Sequence, residues 1–281
     1  MKKKIDTFDV VNIILLFFVL MIVIFPIIYV VLCSLSKTGS VSFSLSNYNL
    51  DSYINILSSS KVPRAFKNSV IYTLTGTFLG LFLVTITAYP LADKQLKGRN
   101  FLLRMIAFTM FFNGGLIPIF LLINSLGFMD SIWAIIVPWA VPAYELMLLR
   151  NYFESIPSEM HEAAEMDGAS EYHILFKIYI PMALPMLCTL ALFFARGQWN
   201  SYLVPLMYLS SAKRFPLQVI LQEMLIQDTA KSTGDALVGA SIATESLKNA
   251  TIVISMIPLV LMYPLFQKYF ISGIYVGAVK G

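Results

Sequence analysis

The sequence predicts an all-α polytopic membrane protein with six transmembrane helices and both termini in the cytoplasm. Three observations carry that prediction. Apolar residues make up 58% of the 281 and charged residues only 13%, whereas soluble domains run near half and a quarter; mean hydropathy is +0.75. Six apolar runs reach the length of about 20 residues that a helix needs to cross a ~30 Å hydrocarbon layer. Lysine and arginine crowd the short connections on one side, which marks that side as cytoplasmic.

Residues 1–10 form a cytoplasmic lead, in which Lys2, Lys3 and Lys4 precede the first span, 11–35. That run is far longer than the roughly 7–15 apolar residues of a signal peptide, and Cys33-Ser34-Leu35-Ser36 is a poor cleavage site, so it reads as a retained anchor. Residues 36–68 are an extracytoplasmic segment rich in Ser, Asn and Tyr, with a short surface helix over 50–57. Span two, 69–92, carries Gly76 and Gly80, a GxxxG hint of close helix contact. Lys94, Lys97, Arg99 and Arg104 crowd the turn into span three, 101–126, and span four covers 132–152. Arg150 and Lys177 flank a cytoplasmic loop, 155–177, ahead of span five, 178–209. An extracytoplasmic loop, 210–250, contains an amphipathic helix over 217–226. Span six, 251–271, and a cytoplasmic tail, 272–281, follow, with Lys268 and Lys280 on the same side. Pro26, Pro118, Pro138, Pro142, Pro185, Pro205, Pro258 and Pro264 fall within spans and predict kinked or broken helices. Little chain remains for a folded soluble domain, so energising or catalytic parts must come from partners.

The loop differs from its surroundings. IPSEMHEAAEMDGASEYHILFKIYIP, residues 156–181, carries four glutamates and both histidines. Pro157 suits a first turn, Ser155 or Ser158 offers an N-cap, and Glu159 and Glu162 favour the positive helix start. Met160, Ala163, Ala164 and Asp167 share a narrow face at i, i+3, i+4 and i+7. Gly168 supplies a left-handed C′ residue that stops this helix. Ser170 caps a second, in which Ile174, Leu175 and Ile178 form an apolar stripe. The result is a rigid bracket whose adjacent alanines allow close approach by another protein and whose carboxylates can pair with basic residues there.

Glu162-Ala163-Ala164, three residues, Gly168, nine residues, Ile178, one residue, then Ile180-Pro181 resembles the EAA signature of ABC importer permeases, EAA-x3-G-x9-I-x-L-P. The one departure is Ile180 for leucine. Asn68-Ser69, Trp199-Asn200 and Phe215-Pro216-Leu217-Gln218 resemble the sugar-importing, maltose-type branch. Residues 112–118, Phe-Asn-Gly-Gly-Leu-Ile-Pro, and the tail 267–281 resemble permeases for complex oligosaccharides. The resemblance implies a type I importer fold, with a single transmembrane permease domain over 69–271 in a bacterial cell membrane. It implies a heterodimer with a second homologous permease, two cytoplasmic ATPases, an extracytoplasmic solute-binding lipoprotein and a carbohydrate substrate. It also implies that Glu162, Ala163, Ala164, Asp167 and Gly168 form the ATPase-coupling helix. This chain itself would bind no cofactor, ATP and Mg²⁺ belonging to the ATPases.

Other chemistries are excluded. No G-x-x-x-x-G-K-[ST] occurs, so the chain has no P-loop. His161-Glu162-Ala163-Ala164-Glu165 begins like HExxH but lacks the second histidine, so no metal site is expected; His161 and Glu165, four apart, form a surface pair. No Gly-x-Ser-x-Gly elbow appears. Nothing argues for an enzyme. Cys33 and Cys188 read as packing residues, and the net charge of +4 follows from membrane topology and gives no nucleic-acid signal.

Charges held in the bilayer are costly and face cavities or partners. Arg104 and Arg150 lie near cytoplasmic ends and can snorkel. Glu145 and Arg196 lie deeper, and either line the sugar path or pair with each other or with the second subunit. Gln198, Trp199 and Asn200 supply an aromatic face and planar hydrogen-bonding groups suited to a sugar; alternatively Trp199-Asn200 serves helix packing. Asn113 is a further candidate for the path. The outer loop before span six either touches the binding protein, as the resemblance implies, or is simply solvated. A six-span channel or secondary carrier is the competing class, though neither an internal repeat nor a midplane carboxylate pair supports it; a complex that senses rather than imports is a third.

Overall fold

The computed structural model describes residues 7–37, 39–41, 45–231 and 245–264. The expected tail 272–281, the end of span six, Lys2 to Lys4 and the middle of the outer loop lie outside the described residues. The described elements are α1 (Thr7–Leu35), α2 (Asp51–Ser58), α3 (Lys61–Ala92), α4 (Arg99–Phe111), α5 (Leu116–Ser125), α6 (Ile132–Ile136), α7 (Ala143–Glu154), α8 (Ser158–Met166), α9 (Glu171–Ile174), α10 (Ile180–Met182), α11 (Leu184–Asn200), α12 (Leu203–Tyr208), α13 (Leu217–Lys231) and α14 (Glu245–Pro264). By length and apolarity α1, α3 and α14 suffice to cross a membrane, and six spans result if each of three bent helix pairs counts as one.

The chain divides into two compact units, 1–63 with 220–257 and 64–219 with 258–281. In the first, α1 is apolar and exposed all round from Phe8 to Tyr29, the composition of a helix bathed in lipid. Its end is fastened by Ser34 Oγ against Tyr53 Oη of α2 at 2.7 Å, and Ser246 Oγ donates to the Ser36 carbonyl at 2.6 Å. The short surface helix expected over 50–57 is α2.

The second unit holds the core. Its main cluster joins Val84, Ala88 and Leu91 of α3, Leu146, Leu149 and Phe153 of α7, Ile174, Leu175 and Tyr179 of the loop, and Leu190 and Phe194 of α11. The GxxxG hint is realised. A Cβ on Gly80 would lie 2.6 Å from the Phe194 ring, and one on Gly76 would lie 2.9 Å from the Gln198 side chain, so hydrogen at these positions is what lets α3 and α11 touch.

Spans three, four and five are each broken, as the prolines within them predict, although the cause differs in span three. Span three bends by 116° between α4 and α5. The cause is glycine rather than proline. Gly115 takes φ +84°, which side chains bearing a Cβ resist, and Pro118 sits harmlessly in the first turn of α5. Span four bends by 49° between Ile132–Trp139 and α7, where Pro138 and Pro142 remove donors. Span five bends by 81° at Ala183 between Pro181 and Pro185, and is interrupted again after Asn200. Pro26, by contrast, lies within an unbroken α1.

At one end of this unit a polar clasp fixes the loops. Asp130, at φ +54°, accepts from the Ser210 and Ser211 N–H groups at 3.1 Å and pairs with Arg214 at 3.0 Å. Tyr72 Oη donates to the Arg214 carbonyl at 2.8 Å, Asn68 Nδ2 donates to Lys213 and Phe215 carbonyls, and the Leu217 N–H donates to Ser69 Oγ.

Candidate functional site

At the other end lies the bracket. Pro157, at φ −56° and ψ 131°, occupies the cap position of α8, and no side chain caps it. Neither Ser155 nor Ser158 fulfils the expected capping role: Ser155 Oγ instead donates back to the Tyr152 carbonyl, and Ser158 is already helical. No α8 residue is buried; Glu162, Ala163 and Glu165 are exposed, while Ala164 turns toward the core.

The helix stops as expected at Asp167. Gly168 takes φ +78°, its N–H donates to Glu165 at 2.9 Å, and the Ala169 N–H donates to Ala164 at 3.0 Å. These two bonds make a Schellman motif, which satisfies carbonyls that the helix end would leave open. Ser170 then caps α9, accepting from the His173 N–H at 3.4 Å. Ile174 is fully buried and Leu175 is nearly so, rooting α9 in the core beside Leu91, Leu149 and Phe153. The chain widens to a π turn over Leu175–Tyr179 before Pro181.

One carboxylate ties three elements together. Tyr89 Oη of α3 donates to Glu171 Oε2 at 2.6 Å, and His161 Nε2 of α8 lies 3.4 Å from the same oxygen. The expected His161–Glu165 surface pair is thus replaced by His161–Glu171, because the turn at Gly168 folds α9 back beside α8. The Tyr89 hydrogen bond holds the Glu171 carboxyl below the ordinary carboxylate range; desolvation opposes this and His161 reinforces it. A second knot lies nearby. Arg99 and Arg150 reach Glu154 at 3.1 and 2.5 Å, and both donate through Nε to the Leu91 carbonyl. Arg150, expected to be a simple interfacial anchor, is therefore locked to α3 and to its own helix.

A second site lies between α7 and α11. Tyr144, Glu145, Phe193, Arg196, Gly197 and Asn200 line a cavity of ≈ 480 Å³. On α11 these positions recur at i, i+3, i+4 and i+7, one helix face; Tyr144 and Glu145 come from the first turn of α7. The opposite α11 face packs inward. Trp199 is 2% exposed and meets Phe66 edge-on at 5.6 Å, and Gln198 lies against Gly76. Glu145, Arg196 and Asn200 are thus brought together, whereas Gln198, Trp199 and Asn113 are not among the lining residues. Asn113 is exposed at the break in span three, its Oδ1 accepting from the Gly115 N–H at 2.9 Å. Tyr144 and Phe193 escaped the sequence reading, although the α11 stripe could have indicated Phe193.

Among the described residues, Glu145 and Arg196 make no ion pair within 4.0 Å and no hydrogen bond, with each other or with any other group. No three His, Cys, Asp or Glu side chains gather as a metal site among the described residues.

Residues 76–276 match the family described as binding-protein-dependent transport system inner membrane component. Protein LplC of Bacillus subtilis (strain 168) is 36% identical over 280 residues, covering 98% of this chain and 95% of that one. A polygalacturonan/rhamnogalacturonan transport system permease protein, YtcP, of the same organism is 37% identical over 268 residues, covering 93% and 94%. A solved bacterial ABC transporter involved in the import of the acidic polysaccharide alginate contains a chain that is 33% identical, with a TM-score of 0.84 and coverage of 96% and 99%. With its helical architecture and its EAA bracket, this chain belongs to the inner membrane components of binding-protein-dependent transport systems.

Proposed function

We propose that this chain forms one half of the membrane pathway of an ATP-driven importer and carries oligosaccharides delivered by an extracytoplasmic binding protein. It is a multi-pass, non-catalytic subunit of an ABC transporter of the bacterial cell membrane. Saccharides are the favoured cargo because relatives named for saccharide transport align along nearly the whole chain. A cavity of aromatic, amide and charged groups is also suited to hydroxyl-rich ligands.

The observation that carries the reading is the construction of the bracket. Its exposed face holds Glu162 and Ala163, with Asp167 and Gly168 at its end. Its root is Ile174 and Leu175, buried against the ends of α3 and α7. We place this end in the cytoplasm, since Lys94, Lys97, Arg99 and Arg104 lie there too. Partner ATPases bind ATP with Mg²⁺ and supply the energy. A second, homologous permease completes the pathway.

Closure of the ATPase pair draws α8 with it. The Schellman elbow and the Glu171 tie to Tyr89 and His161 keep α8 and α9 moving as one body, so the displacement passes through Ile174 and Leu175 into α3 and α7. Spans three to six then rock, and the cavity opens toward the docked binding protein. ATP hydrolysis on the ATPases resets the arrangement.

The test is a cross-link. With Cys33 and Cys188 replaced, Ala163→Cys should couple to a cysteine placed in the cleft of the co-purified ATPase, and the yield should change when the ATPase is trapped closed. An ATPase that co-purifies but never cross-links from position 163, while a control cysteine on another loop does, would refute the assignment.

A further inference from the structure

The cavity between α7 and α11 contains an acid and a base that leave each other alone. Arg99 and Arg150 engage Glu154, and Arg214 engages Asp130; Glu145 and Arg196 line one cavity without closing to 4.0 Å. Their depth makes this consequential. At a rise of 1.5 Å per residue, Glu145 lies about 14 Å along α7 from Glu154 and Arg196 about 18 Å along α11 from Leu184. Both positions fall near the middle of a ~30 Å hydrocarbon layer, where an ionised side chain faces water, a ligand or a charged partner.

The groups around the cavity specify a ligand. A guanidinium presents a planar fork of donors that matches a carboxylate in two parallel hydrogen bonds. The Glu145 carboxylate accepts from hydroxyls, and the Asn200 amide both donates and accepts. Tyr144 and Phe193 offer flat faces to the C–H side of a ring. A neutral sugar would be served by the same groups with Arg196 and Glu145 paired; holding them apart leaves a positive fork open for a negative charge in the ligand and a carboxylate for its hydroxyls. A uronic acid unit carries both features on one ring.

We propose that this cavity selects anionic saccharides, Arg196 receiving the carboxylate of a uronate unit while Glu145 and Asn200 take hydroxyls of the same or the adjoining unit. This rests on the carbohydrate reading given above. The volume of ≈ 480 Å³ falls within the range of about 300–1,000 Å³ for small-ligand sites.

The experiment uses the complete transporter in proteoliposomes with its own binding protein. The probes are radiolabelled trigalacturonate and trimannuronate, each beside its carboxyl-reduced counterpart, and loading of the binding protein is measured separately by its intrinsic fluorescence. Wild type should import at least one uronate faster than its reduced counterpart. Arg196→Gln should lower the ratio of uronate uptake to reduced-sugar uptake at least tenfold. Arg196→Lys, which keeps the charge but not the fork, should fall between. Equal loss for both classes, no loss for either, or wild-type uptake of neutral sugars alone would overturn the proposal and leave the carbohydrate reading standing. Uptake of neither class, with ATPase still stimulated by the binding protein and its own solute, would overturn both.

Discussion

Replacing Gly168 tests the mechanical role proposed for the elbow. Its φ of +78° places the residue in the left-handed region, where a Cβ costs roughly 1–2 kcal/mol. An added Cβ meets nothing within 4 Å, so Gly168→Ala carries that backbone cost and no steric one. One to two kcal/mol is a factor of about 5–30 in an equilibrium, and the population of intact elbow should fall by that factor unless neighbouring contacts hold it. Gly168→Asn is the control, because asparagine enters this region more readily. Gly168→Leu has the backbone cost of alanine and adds bulk on the side proposed to meet the ATPase. Uptake and ATPase stimulated by loaded binding protein should be measured together in proteoliposomes. Uptake should fall several-fold for alanine, further for leucine and least for asparagine, with basal ATPase within about twofold of wild type. Hydrogen exchange at positions 168 and 169 should rise to a similar extent for alanine and leucine and least for asparagine. Alanine and leucine variants with wild-type uptake and wild-type stimulation would refute the lever.

Gly80→Ala forces a Cβ to 2.6 Å from the Phe194 ring; overpacking of this kind costs about 1–3 kcal/mol, and the thermal midpoint of the detergent-purified complex should drop, with partial recovery in the Gly80→Ala, Phe194→Leu double variant. Glu154→Gln leaves Arg99 and Arg150 without their carboxylate in a setting where both are largely buried; a loss of about 1–3 kcal/mol follows, read as a lower denaturation midpoint. The Glu171 tie has a defined pH sign. Its carboxyl is held below the ordinary value, so its contribution is fully present above the unfolded range near 4.5 and is lost as pH falls through the lowered value. Exchange protection of α8 and α9 attributable to Glu171, measured as the difference from Glu171→Gln, should shrink as pH falls from the ordinary carboxylate value through the lowered one.

The bracket was legible because its information is local. A proline, a glycine at a fixed offset and a serine after it set two helix boundaries, and the apolar stripe at Ile174 and Leu175 announced which face is buried. The partner of His161 was not legible. Within one helix its neighbour is Glu165, and only the fold-back at Gly168 brings Glu171 across from another element. Hydropathy also concealed the break in span three, since Phe112 and Leu116 keep the window apolar while one helix ends at Phe111 and Gly115 opens the next. The consecutive Gln198, Trp199 and Asn200 form one cluster in sequence. Helical rotation of about 100° per residue sends Trp199 into the core and Asn200 to the cavity. The partners of the cavity residues lie some fifty positions away on α7, a distance no local pattern spans.

The two faces of α11 have separate obligations. Phe194, Ala195, Gln198 and Trp199 are committed to the fold, whereas Phe193, Arg196, Gly197 and Asn200 line the cavity. Selection can therefore rewrite one side of this helix without disturbing the other. On the role proposed for the cavity, diversification of cargo would need only a handful of codon changes along a single stripe, and an engineer redirecting the transporter would begin there.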